Sequence, residues 1–147
     1  SKECRCSATQ ILAYNKRLSG PLLDRIDLVV AVSRVPNDAL LNHGTMKKNQ
    51  HLSVVNQIMM AQNMQRKRYK SSTVYNGSLT SSQVQDLLSI EPAAKQLLTA
   101  AGERLGLSAR SYFKVIKVAQ TIADMNAEES VKKEHIAEAL QYRGQTS

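Results

Sequence analysis

Two arginines stand where a cation has chemistry to do. Arg25 lies within Ser19-Gly-Pro-Leu-Leu-Asp-Arg-Ile-Asp-Leu28, at the mouth of an apolar run. Arg110 lies within Leu105-Gly-Leu-Ser-Ala-Arg-Ser-Tyr112, in the first turn of an expected helix. A cation in a first turn opposes the helix dipole, which favours negative charge at an N-terminus. The conflict disappears when an anion occupies that end, because helix N–H groups and a guanidinium both bind phosphate. An arginine that simply points into water fits the same residue type, so the position alone leaves both readings open.

A second concentration of positive charge comprises Arg66, Lys67, Arg68 and Lys70, preceded by Lys47 and Lys48. Such a cluster can track a nucleic-acid backbone with salt-dependent, sequence-independent affinity. Tyr69 and Tyr75 are its only aromatic company. The same charges also complement the negative C-terminal end of a helix. Cys4 and Cys6 form Cys-Arg-Cys, too close for an unstrained disulfide. Two thiolates fall short of the four ligands of a structural zinc site, so free thiols and no metal are expected. His43, His51 and His135 lack ligand spacing and read as surface or packing residues. Asp24 and Asp27 flank Arg25 and read as local salt-bridging or turn-capping groups.

The elements that must position these residues follow from patterning. Ser7-Ala-Thr-Gln10 has the spacing of a capping box, and Ala8, Ile11, Leu12, Asn15 and Leu18 trace a helical stripe behind it. Ser19-Gly20-Pro21 should end that helix, and Leu22-Leu23-Asp24 should add a short turn. Ile26-Asp27-Leu28-Val29-Val30-Ala31-Val32 reads as a strand buried on both faces, of the kind found inside a parallel sheet. No other convincing strand is present to pair with it. Residues 36–48 read as a connector with a helical turn around Ala39-Leu40-Leu41. A helix over about 50–69 should turn Leu52, Val55, Ile58 and Met59 inward, and a polar loop follows to Ser78. Thr80-Ser-Ser-Gln83 is a second capping box, opening a short helix with Val84, Leu87 and Leu88 apolar. Three more helices follow. One carries Ala94, Leu97, Leu98, Ala101 and Leu105 with Gly106 as its C-cap. The next starts at Ser108 and carries Tyr112, Val115, Ile116, Ala119, Ile122 and Ala123 on one face, and the last holds Ile136, Ala139 and Leu140.

Bulk composition agrees with a helical domain. The 147 residues include no Trp and a single Phe113, so Leu, Ile, Val, Ala and Met must fill the core, and Leu, Ala and Met are good helix formers. The net charge of +8 and an isoelectric point near 9.7 point to an acidic partner, nucleic acid or nucleotide phosphate, or to a solubilising surface. No apolar run reaches membrane-spanning length and no signal peptide opens the chain, so no membrane contact and a cytoplasmic location are expected. The lack of an initiator Met suggests an excised piece.

The segment Leu18-Ser-Gly-Pro-Leu-Leu-Asp-Arg-Ile-Asp-Leu28 closely resembles the signature of Mg-chelatase-like AAA+ proteins of the competence group. Leu105-Gly-Leu-Ser-Ala-Arg-Ser-Tyr112, Val118-Ala-Gln-Thr-Ile-Ala-Asp124 and His135-Ile-Ala-Glu-Ala-Leu-Gln-Tyr-Arg143 match the same family in the same order. Only about residues 37–75 are unspecific. The resemblance implies a mainly α chain: an AAA+ C-terminal helical lid bundle preceded by a remnant, helix plus one strand, of the α/β ATPase core. Its expected parts are a core remnant over 1–35, a connector and basic helix over 36–78, and the lid over 79–147.

The resemblance further implies a hexameric ATPase related to the chelatase motor subunit and to replicative helicases. Arg25 looks like the arginine finger, offered in trans to ATP held by the neighbouring subunit, and Arg110 like the second sensor. Partners would be the remainder of the AAA+ core, neighbouring subunits of a homo-oligomeric ring, and DNA at Arg66, Lys67, Arg68 and Lys70. The full-length protein would use ATP and Mg²⁺ for helicase or branch-migration work in DNA uptake and recombination. This chain has no Gly-x-x-x-x-Gly-Lys-Ser/Thr loop and no acidic Walker-B strand, so alone it should neither hydrolyse ATP nor bind it tightly. In the family a further Cys-x-Cys upstream would complete a zinc site with Cys4 and Cys6. Alternatives are a chelatase-type protein remodeller, a stand-alone helical nucleic-acid-binding module, and a structural oligomerisation domain. Cut from its sheet, the run Ile26–Val32 should be disordered, packed improvised against the helices or prone to edge pairing between chains, with weak hydrogen-exchange protection before about residue 35 and strong protection after residue 80.

Overall fold

A computed structural model describes residues 6–15, 22, 25–34 and 48–143. Within them, α1 spans Ala8–Asn15. Ser7 N donates to Gln10 Oε1 at 2.9 Å and Gln10 N to Ser7 Oγ at 3.3 Å, the reciprocal capping box expected of that spacing. The expected continuation to Leu18, the turn residues Leu23 and Asp24, and the connector over 35–47 lie outside the described residues.

Helix α2, Lys48–Tyr69, is the longest, and only its second half is built into the bundle. Ala61 and Gln65 are buried, whereas Leu52 is 60% exposed and Ile58 and Met59 are exposed as well. The expectation that these three face inward is therefore corrected. Among the described residues, most apolar side chains in the first turns of α2 remain exposed rather than buried against another element. Lys70, at φ 50°, takes the left-handed conformation that ends the helix. A 3₁₀ turn over Asn76–Ser78 interrupts the polar loop that follows.

Helix α3, Ser81–Leu87, begins with the second capping box: Thr80 N donates to Gln83 Oε1 at 2.9 Å and Gln83 N to Thr80 Oγ1 at 3.3 Å. Val84 and Leu88 enter the core, but Leu87 is exposed, because the chain leaves the helix at Leu88 for an extended conformation. That extension makes β1, Ser89–Ile90, which pairs in parallel with β2, Ser130–Val131, in the register Ser89–Ser130 and Ile90–Val131. Pro92 opens α4, Pro92–Leu105, as its first residue, and Gly106 closes it at φ 59°, a left-handed position that suits glycine. Helix α5, Ala109–Met125, is capped by Ser108, whose Oγ accepts from Ser111 N at 3.1 Å. Helix α6, Lys133–Gln141, closes the bundle, with His135 Nδ1 accepting from Lys132 N at 3.1 Å in its first turn. His135 is thus a buried packing and capping residue.

The core gathers around α5. Val115, Ile116 and Ala119 meet Leu98 from α4, Ile136 and Ala139 from α6, and Val84, Leu88 and Val131 from the short elements. Six helices and one two-residue parallel pair make the described chain mainly α, as expected.

The apolar run Ile26–Val32 forms no ladder among the described residues. It has no regular secondary structure and is exposed, Val32 at 89%, and is tied to the bundle by Val29 N donating to Tyr142 O at 2.8 Å and by Ile26 O accepting from Lys114 Nζ at 2.6 Å. A strand apolar on both faces needs a neighbour on each edge and a layer on each face. The helices supply neither, which is why the segment is improvised against them.

Candidate functional site

Arg25 and Arg110, far apart in sequence, line one cleft of about 520 Å³. One wall is the N-terminal half of α5, carrying Arg110, Phe113, Lys114 and Lys117. The opposite wall comes from Gly77 to Ser81, and Arg25 and Asp27 border it from the segment over 25–34. Arg25 is set there by a turn, its N–H donating to Leu22 O at 3.0 Å. Four cations therefore face one carboxylate, Asp27. That balance suits an anion rich in oxygen acceptors. It does not suit a divalent cation, which needs several oxygen ligands, and no group of three His, Cys, Asp or Glu gathers anywhere among the described residues.

Arg110, Lys114 and Lys117 recur at i, i+4 and i+7, which puts them along one side of α5. The two lysines were not singled out in the sequence. Their spacing from Arg110 was the signal that could have found them. Lys114 Nζ reaches Ile26 O, next to Arg25, and Lys117 Nζ donates to Gly77 O at 3.2 Å. The lysines thus link α5 to both other walls of the cleft.

Behind the Gly77 wall lies a buried polar network. Asp124 is fully buried on α5 and takes a bidentate contact from Arg68, Nη2 to Oδ1 at 2.5 Å and Nη1 to Oδ2 at 3.1 Å. Gln120 Nε2 donates to the same Oδ1 at 3.1 Å, and Asn76 Nδ2 to Oδ2 at 2.9 Å. Asn76 in turn donates its N–H to Gln65 Oε1 at 2.9 Å and accepts from Tyr69 Oη at 2.5 Å. Burial works against the Arg68 charge, but the hydrogen bonds to Asp124 and Tyr69 outweigh it and hold its pKa above the ordinary arginine range. Burial also pushes the Tyr69 phenol up, against the lowering effect of Arg68.

One member of the expected basic cluster, Arg68, belongs to this network. Arg68 is turned inward and paired with Asp124, its guanidinium fork satisfying a buried carboxylate. Arg66, Lys67 and Lys70 remain exposed, and none of the four residues lines the cleft. Asp27 borders the cleft, while Asp24 lies outside the described residues. Cys6 is exposed, and Cys4 and His43 lie outside the described residues. His51 is exposed on the protruding part of α2.

Two family models match the chain: magnesium chelatase, subunit ChlI C-terminal, over residues 48–143, and magnesium chelatase, subunit ChlI, over residues 1–40. Competence protein ComM of Haemophilus influenzae is 34% identical over 139 residues, covering 95% of this chain and 26% of that protein. The uncharacterized protein YifB of Escherichia coli is 32% identical over 139 residues, covering 95% of this chain and 27% of its own length. The chain thus spans about a quarter of the length of these curated relatives. No helix among the described residues is long and apolar enough to cross a membrane.

Proposed function

This chain belongs to the magnesium chelatase subunit ChlI family, with relatives of the ComM and YifB type, and on that premise we propose that it is the lid-bearing C-terminal part of a ring-forming AAA+ ATPase acting on DNA. One observation carries the reading: Arg25 and Arg110 line the same anion-suited cleft. Arg25 acts as the arginine finger, presented to ATP held by the neighbouring subunit, and Arg110 as the second sensor on the same phosphate chain. ATP with Mg²⁺ supplies the transferable phosphoryl group. Arg25 neutralises charge that spreads over that group's oxygens during transfer, an effect worth on the order of 10³–10⁵ in rate in other nucleotide hydrolases. Arg110, rooted in the rigid α5, converts occupancy of the cleft into a position of the lid. The printed name of ComM ties that relative to competence, and DNA uptake and recombination is the proposed setting here.

A chelatase-type remodeller would use the same cleft, so the two differ only in what the ring moves. The nucleic-acid module is less favoured, since Arg68 is spent on Asp124 and three exposed cations remain of the four. The test is steady-state ATP turnover of the full-length protein, with and without single-stranded DNA, comparing wild type with Arg25→Ala. An assembled Arg25→Ala ring that loses nearly all turnover, beside a DNA-stimulated wild type, is the expected result. Unchanged turnover removes Arg25 as the finger, and indifference to DNA removes DNA as the substrate.

A further inference from the structure

Lys114 and Lys117 have no role in the reading above, yet they contribute half of the positive charge in the cleft. Both are half-buried, and each ammonium group donates to a backbone carbonyl at the protein surface. Lys117, which lines the cleft, donates one of its three N–H groups to Gly77 O. A concentration of cations this close together is self-repelling, with only Asp27 to offset it. An anion with several oxygens relieves that repulsion, whereas a single carboxylate leaves most of it in place.

We infer that Lys114 and Lys117 are phosphate-binding residues: with Arg25 and Arg110 they form a four-cation cradle for the polyphosphate chain of a nucleoside triphosphate. Lys117 contacts a phosphoryl oxygen from the Gly77 wall. Lys114 binds from the middle of the α5 stripe and ties the Arg25 segment to it through Ile26 O. The charges converge on one compact concavity of about 520 Å³, which fits a short polyphosphate. A nucleic-acid backbone would require an extended track of cations. The identity of the ligand as a nucleotide rests on the function proposed above; the binding of polyphosphate does not.

The test titrates inorganic tripolyphosphate into the 147-residue chain at low salt, followed calorimetrically, with a short single-stranded oligonucleotide in a parallel arm. Wild type is expected to bind tripolyphosphate, with affinity falling as salt rises. Lys117→Gln and Lys114→Gln should each weaken it about three- to ten-fold, and Lys117→Arg should largely restore it. Lys133→Gln, exposed on α6 and outside the cleft, is the control and should bind as wild type does. Thermal melts of each variant show that it is folded. The inference is overturned if wild type does not bind tripolyphosphate, if Lys133→Gln weakens binding as much as the cleft variants, or if only the oligonucleotide binds. Binding that the lysine variants leave intact but Arg110→Ala abolishes overturns it too, while sparing the role proposed for Arg110. Unchanged turnover in Arg25→Ala rings, with tripolyphosphate binding still lysine-dependent, would instead remove the finger assignment and spare the cradle.

Discussion

Asp124 accepts hydrogen bonds from Arg68, Gln120 and Asn76, and it is the one carboxylate in that network. Taking such a group out of water costs several kcal/mol, which bidentate pairing and satisfied lone pairs offset. Removing one partner leaves the other charge buried and alone. Asp124→Ala should therefore lose about 3–5 kcal/mol of unfolding free energy, read by urea denaturation at pH 7. Arg66→Ala, on the exposed side of the same helix turn, should stay within about 0.5 kcal/mol of wild type. A loss below about 1 kcal/mol for Asp124→Ala would mean that Arg68 is not held by this pair. The pairing was illegible in the sequence because the two residues lie 56 positions apart and each has a plausible local use. Arg68 reads as one more cation in a basic run, and Asp124 as one more polar residue near a helix end.

At the scale of elements, what the sequence revealed was what is decided locally. The capping boxes at Ser7 and Thr80, the Ser108 cap and the left-handed Gly106 each depend on hydrogen bonds or backbone angles within a few residues. What it concealed depends on tertiary partners. The β1–β2 pair joins two-residue segments too short to show a pattern, and the apolar stripe on the first half of α2 is largely exposed among the described residues. The run over 26–32 has the composition of an interior strand but here holds to the bundle through Val29 N and Ile26 O. Protection from hydrogen exchange follows the depth of such ties. Amides of α4, α5 and α6 should exchange near the global unfolding limit, and those before residue 35 much faster. Uniform protection from residue 7 onward would show that the segment over 26–32 is locked to the bundle by more than these two bonds.

At the scale of the whole molecule, the cleft is where residues distant in sequence meet. Among the described residues, Arg25, Arg110, Lys114 and Lys117 line one cleft. If Arg25 is a finger that acts across a subunit boundary, as proposed, each copy completes a neighbour's site rather than its own. That geometry makes a prediction about mixtures. A full-length Arg25→Ala protein binds nucleotide but offers no finger, and a variant disabled in nucleotide binding elsewhere in its core offers a finger but holds no ATP. Each alone should be nearly inactive. Mixed rings contain boundaries where an intact nucleotide site faces an intact Arg25, so turnover should reappear on mixing and depend on the ratio of the two. A finger acting within its own subunit gives no such boundary at any ratio. Mixtures as inactive as their parents, with subunit exchange verified by fluorescence energy transfer, would therefore place Arg25 on its own subunit's nucleotide and end the trans reading.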